Sequence, residues 1–182
     1  MRTETRAAAA RAPRLAAFVL PTILLVATSC TPATPPRTAT RTEAQPRWFD
    51  YVALDGTRLG TETTRGRVTI IALITTYDLG SQVVVREMAD LFSRHRPRIN
   101  AGVVVMEPPK SAPLAEAFAS TLELPFPVAL ADAATLEGRG PFGEISITPT
   151  TIVLDPSGAE VFRRAGVVST ADLSRALSDA LR

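Results

Sequence analysis

Residues 68–81 read Val68-Thr69-Ile70-Ile71-Ala72-Leu73-Ile74-Thr75-Thr76-Tyr77-Asp78-Leu79-Gly80-Ser81. The first seven are an almost unbroken apolar run, which predicts a central strand covered on both faces. A short polar break follows. Beyond it the apolar period changes: Val84, Met88, Leu91 and Phe92 fall at i, i+4, i+7 and i+8, with Arg86, Glu87 and Asp90 off the stripe. That spacing predicts a helix over 80–96, stopped by Pro97. A buried strand that feeds an amphipathic helix is half of a crossover unit, so a parallel pairing is expected.

The same alternation continues outward. Ala101 to Met106 is a second buried strand, Ser111 and Pro113 open a helix carrying Leu114, Phe118 and Leu122, and Pro127 to Leu130 is a short strand. Two further strands, Thr150–Leu154 and Ala159–Arg163, flank the turn Asp155-Pro156-Ser157-Gly158. Ser169 caps a last helix with Leu173, Leu177 and Leu181 on one line. Upstream, Phe49 to Leu54 followed by Asp55-Gly56 reads as a strand and tight turn. Parallel crossovers followed by an antiparallel hairpin predict an α/β domain over residues 47–182. Its central sheet is mixed and carries helices on both faces.

The ends carry different signals. Arg2, Arg6, Arg11 and Arg14 precede an apolar stretch from Leu15 to Ala27, too short for a membrane-spanning helix but suited to an export signal. Small residues lead into Cys30, the only cysteine in the chain. Residues 1–29 therefore read as a lipoprotein-type signal peptide with Cys30 as the lipidation site. The alternative is an ordinary secretory signal with an incidental cysteine. Residues 30–46 read as the lipidated cysteine and a Pro/Thr-rich tether, with four prolines and five threonines in 31–46. This predicts an exported, membrane-anchored protein facing the periplasm. Thr31, where an aspartate would signal inner-membrane retention in some bacteria, favours the outer membrane.

The full chain has 20 basic and 18 acidic residues; the leader holds four of the former and one of the latter, leaving about −1. No strong field of either sign remains to attract nucleic acid. A single cysteine excludes an intramolecular disulfide and a cysteine-based zinc site. Gly138-Arg139-Gly140-Pro141-Phe142-Gly143 matches Gly-x-Gly-x-x-Gly in letters only: Pro141 removes an amide, and a strand rather than a helix is expected to follow. No nucleotide, metal or other cofactor is expected. His95, the only histidine, lies among Arg94, Arg96 and Arg98 at a helix C-terminus, where cations complement the helix dipole.

Three landmarks in order resemble the thioredoxin-like superfamily, in particular its TlpA-type and alkyl hydroperoxide reductase/thiol-specific antioxidant members. They are the junction Ile74–Ser81 followed by Arg86-Glu87-Met88, then Ile147-Thr148-Pro149-Thr150-Thr151, then Leu154-Asp155-Pro156-Ser157-Gly158. The resemblance implies a three-layer α/β/α fold with an N-terminal β extension. It also implies a cis Thr148–Pro149 bond beside the site, with Thr148 offering its backbone to a client peptide.

The resemblance also places a Cys-x-x-Cys where this chain has Asp78 and Ser81. A carboxylate at a helix N-terminus caps amides, but it cannot attack a disulfide or reduce a peroxide. No catalytic residue is therefore assigned. Asp78 reads either as a plain helix cap or as part of a retained binding pocket formed by Tyr77, Asp78, Ser81, Thr148 and Pro149. The expected function is a protein-binding module in the cell envelope, with an envelope protein or peptide as partner. One alternative is an oxidoreductase that borrows a partner's cysteine or the tether's Cys30. Another is an inert envelope spacer.

Overall fold

The computed structural model describes residues 46–182. The signal-peptide and lipidation readings, and the tether short of Pro46, lie outside the described residues. Strand β3 (Val68–Ile74) is buried at every position and pairs with β4 (Ile99–Val105) in parallel and with β6 (Thr150–Leu154) antiparallel. Strand β5 (Val128–Leu130) adds to β4 in parallel, and β7 (Glu160–Ala165) adds to β6 antiparallel. The order β5-β4-β3-β6-β7 is the expected mixed sheet.

Alternation along β3 divides the interior. Val68, Ile70, Ala72 and Ile74 face one cluster; Ile71 and Leu73 face the other. Helix α2 (Leu79–His95) crosses from β3 to β4, and α3 (Ala112–Thr121) crosses from β4 to β5. Both crossovers step the same way across the sheet, so right-handed connections put both helices on one face. Val84, Val85, Met88 and Leu91 of α2, Ala115 and Phe118 of α3, and Leu173 and Leu177 of α5 (Thr170–Ala180) share one cluster. Leu114, expected on the apolar line of α3, is exposed, because Ala115 and Phe118 already fill the contact.

The other face has no long helix and is covered by the chain's start. Strands β1 (Asp50–Val52) and β2 (Arg58–Gly60) form an antiparallel hairpin that lays Phe49, Tyr51 and Leu59 on Ile71, Leu73, Ile152 and Leu154. Phe142 closes this layer with its ring centroid 5.4 Å from that of Phe49. Two single-turn helices, α1 (Thr61–Thr64) and α4 (Ala133–Leu136), pin the hairpin. Thr61 Oγ1 accepts from Phe49 N at 2.9 Å, and Thr135 Oγ1 lies 2.9 Å from Tyr51 Oη. The three-layer arrangement therefore has unequal outer layers. Strand β2 and both short helices carry too little periodicity to be read from sequence.

The two ends of the sheet differ in role. The C-terminal end of β3, the N-terminus of α2 and the start of β6 share one end. The start of β3, the end of α2 and the β6–β7 turn share the other. There Gly66 N donates to Pro156 O at 3.0 Å, Pro46 bridges Ala159, and Arg47 N donates to Gly158 O at 2.9 Å.

Candidate functional site

Asp78 is the N-cap of α2. Its Oδ1 accepts from Gly80 N at 3.2 Å and its Oδ2 from Ser81 N at 2.9 Å, so two amides left free by helix geometry are satisfied. Ser81 Oγ donates to the same Oδ2 at 2.9 Å. The Ser81 hydroxyl, then the amides of Ser81 and Gly80, hold the Asp78 carboxyl below the ordinary carboxylate range. Ser81 itself is fully buried, and its Oγ accepts from Thr75 N at 3.3 Å. One hydroxyl thus ties the end of β3 to the cap of α2.

A second polar link lies behind the first. Thr76 donates from both its amide and its hydroxyl to Oε1 of Glu107, at 2.6 and 2.7 Å, and Glu107 is only 5% exposed. The sequence reading missed Glu107. Its signal was present, a charged residue directly after the apolar run Ala101–Met106 and before Pro108 and Pro109, two residues with no amide hydrogen to donate.

The Thr148–Pro149 bond is cis, as the resemblance implied; Arg96–Pro97 is also cis. Thr148 Oγ1 lies 3.4 Å from Thr75 Oγ1. Gly80 packs tightly here: a Cβ on it would stand 3.0 Å from Val167 and 3.4 Å from the Pro149 ring. Four of the five expected residues, Asp78, Ser81, Thr148 and Pro149, are joined through Thr75 and Gly80. The fifth, Tyr77, points outward at 77% exposure.

Tyr77 is not alone. Leu79 is 75% exposed, Ile147 56% and Val167 55%, all from segments that meet at this end of the sheet. Neither the amide nor the carbonyl of Thr148 has a hydrogen-bond partner among the described residues. Both Asp78 oxygens are engaged in capping, and no thiol lies among the described residues. The only histidine, His95, ends α2 at the opposite end of the sheet, its Nδ1 2.9 Å from the Leu91 carbonyl.

No protein-family model matches the chain, and no curated protein matches it. Solved structures do. A thioredoxin-family thiol:disulfide interchange protein from Chlorobium tepidum TLS is 22% identical, with a TM-score of 0.63 over 76% of this chain and 97% of that one. A DsbF homologue from Corynebacterium diphtheriae is 14% identical, with a TM-score of 0.65 over 76% of this chain and 88% of that one. A secreted Mycobacterium tuberculosis disulfide oxidoreductase homologous to E. coli DsbE is 12% identical, with a TM-score of 0.61 over 72% of this chain and 96% of that one. The chain has the thioredoxin fold and, with Cys30 its only cysteine, holds no Cys-x-x-Cys.

Proposed function

We propose that this is an exported, lipid-anchored, thioredoxin-like domain that binds a protein or peptide in the cell envelope and performs no dithiol chemistry. The observation that carries the reading is the exposed apolar ring of Tyr77, Leu79, Ile147 and Val167 around a site whose polar groups bond to one another. Large apolar side chains grouped at one surface favour association with another protein. The open backbone of Thr148 adds hydrogen-bonding capacity for an extended segment. The secreted Mycobacterium tuberculosis relative in fold supports export, and among the described residues no helix is long and apolar enough to cross a membrane.

The test is a quantitative pull-down of the lipidated protein from its own envelope, wild type against Asp78→Arg with Thr148→Arg. The reading expects a partner that the double variant loses. Identical partners from both proteins would contradict it, and would leave Asp78 as a helix cap only.

The fold similarity to thiol:disulfide interchange proteins favours a second reading, an oxidoreductase that uses a partner's cysteine or an unlipidated Cys30. Insulin-disulfide or peroxide reduction that survives Cys30→Ser would favour a borrowed thiol. Activity lost with that change, together with a free Cys30 thiol by mass spectrometry of the mature N-terminus, would favour the tether cysteine. The proposed function expects neither activity.

A further inference from the structure

The end of the sheet opposite the site gathers five arginines, four of them with no acidic partner among the described residues. Arg94 and Arg96 close α2, Arg98 precedes β4, and Arg65 and Arg67 precede β3, whose Val68 pairs in register with Ile99. All five are exposed. Arg67, Arg94, Arg96 and Arg98 have no carboxylate within 4.0 Å among the described residues, and Arg65 reaches Glu62 only at that limit. Elsewhere in the described residues every arginine but Arg86 sits in a carboxylate pair. The guanidinium groups are held by neutral groups instead: Arg67 donates to Pro97 O at 3.3 Å, Arg94 to Asp90 O at 3.1 Å, and Arg96 stacks 5.3 Å from the Phe92 ring centroid. The carboxylates closest along the chain are Glu62 and Asp90, fewer than the cations they border. Asp155, in the β6–β7 turn at the same end, turns its Oδ1 to Ser157 and Ala159.

A second observation supplies the occupant. The chain enters the domain at this same end, where Pro46 bridges Ala159 and Arg47 bonds Gly158, beside Gly66 and Pro156. From Pro46 back to Cys30 the tether is at most roughly 50 Å long at about 3.1 Å per residue. A domain anchored through Cys30 would therefore be attached at its arginine end.

We infer that the Arg65/Arg67/Arg94/Arg96/Arg98 face docks on anionic phospholipid headgroups and holds the domain against the membrane. Clusters of this size bind anionic leaflets, each arginine contributing about a factor of five. Docking turns the Asp78–Thr148 site away from the bilayer. The seven residues of β3 separate the two ends by about 20 Å. Partners then reach the site from the aqueous side. This inference rests on the anchored reading of Cys30.

The test is neutron reflectometry of the mature protein, purified from its own envelope, on supported bilayers of phosphatidylcholine alone and of phosphatidylcholine mixed with phosphatidylglycerol. On the mixed bilayer the protein layer should begin at the headgroups, and it should stand off on phosphatidylcholine and at high salt. Replacing Arg67, Arg96 and Arg98 with Gln should weaken docking roughly 100-fold and release the domain from the mixed bilayer. Removing the same charge elsewhere, through Arg86→Gln, Lys110→Gln and Arg139→Gln, should not. Equal stand-off on both bilayers, or equal release by both triple variants, overturns the inference. Retention on phosphatidylcholine after washing reports the anchor separately. Protein that washes off phosphatidylcholine, yet is recruited to the mixed bilayer through the three arginines, would remove the anchor and keep the docking face. Protein that neither bilayer retains would remove both.

Discussion

Ser81 Oγ donates to Asp78 Oδ2 at 2.9 Å. The two positions that the family resemblance aligns with a cysteine pair are thus bonded to each other as cap and supporting hydroxyl. Because that bond and the two amides favour the charged carboxylate, the Asp78 pKa lies below its ordinary value of 3.8 in the folded protein. The associated stabilisation is present above the unfolded-state pKa and is lost as pH falls through the lower folded-state value. Carbon-detected NMR titration should place the Asp78 midpoint below 3.8, and Ser81→Ala should raise it. An unchanged midpoint in Ser81→Ala would contradict the assignment of the hydroxyl as the leading cause.

Placing two thiols at these positions should introduce dithiol chemistry. In Asp78→Cys with Ser81→Cys the first introduced thiol sits at the start of the 17-residue helix α2, where free amides and the helix dipole stabilise a thiolate. The double variant, tested with Cys30→Ser, should form a disulfide on oxidation and gain insulin-reduction activity above the baseline of the parent. Either substitution alone should stay at baseline. A double variant that folds but forms no disulfide would show that the local geometry does not suit a dithiol.

Glu107 is expected to matter for stability. Removing its carboxyl strands the buried amide and hydroxyl of Thr76, at about 1–3 kcal/mol for each unsatisfied group. Urea unfolding of Glu107→Ala should show a loss of about 2–6 kcal/mol. Glu107→Gln keeps an acceptor oxygen and should lose less.

The N-terminal hairpin is seated through Gly102, where an added Cβ would stand 2.5 Å from both Leu59 methyl carbons. Gly102→Ala should cost about 1–3 kcal/mol by overpacking, and Leu59→Ala about 2–5 kcal/mol by leaving a cavity. The two changes should be less than additive, since each relieves the defect of the other. Additive losses in urea unfolding would show that the two positions do not share the space.

The parts of this fold that could be read from sequence are those with a strong period. The unbroken run Val68–Ile74, the stripe Val84–Met88–Leu91 and the turn Asp155–Gly158 each state their structure locally. Strand β2, only Arg58–Gly60, does not, because its contact is between Leu59 and Gly102, 43 positions apart in sequence. The lopsided layering was also hidden. It follows from two crossovers stepping in one direction, which no single segment encodes. At the site, Asp78 could be read as an N-cap because a cap is a local pattern. The Thr76–Glu107 bond could not, since it joins the ends of two different strands. The arginines at 94, 96 and 98 were visible as a cluster, but their conjunction with Arg65 and Arg67 is a product of the β3–β4 register, and that with the chain entry of the Pro46–Ala159 bridge.

The most direct measurement is site-specific photo-crosslinking in the native envelope. The photoreactive residue benzoylphenylalanine would replace Tyr77 in one strain and the exposed Ser178 in another. The account predicts a discrete protein adduct from position 77 that is absent from position 178 and is abolished by Asp78→Arg with Thr148→Arg. No adduct from position 77, or the same adducts from both positions, would contradict a binding surface at the site.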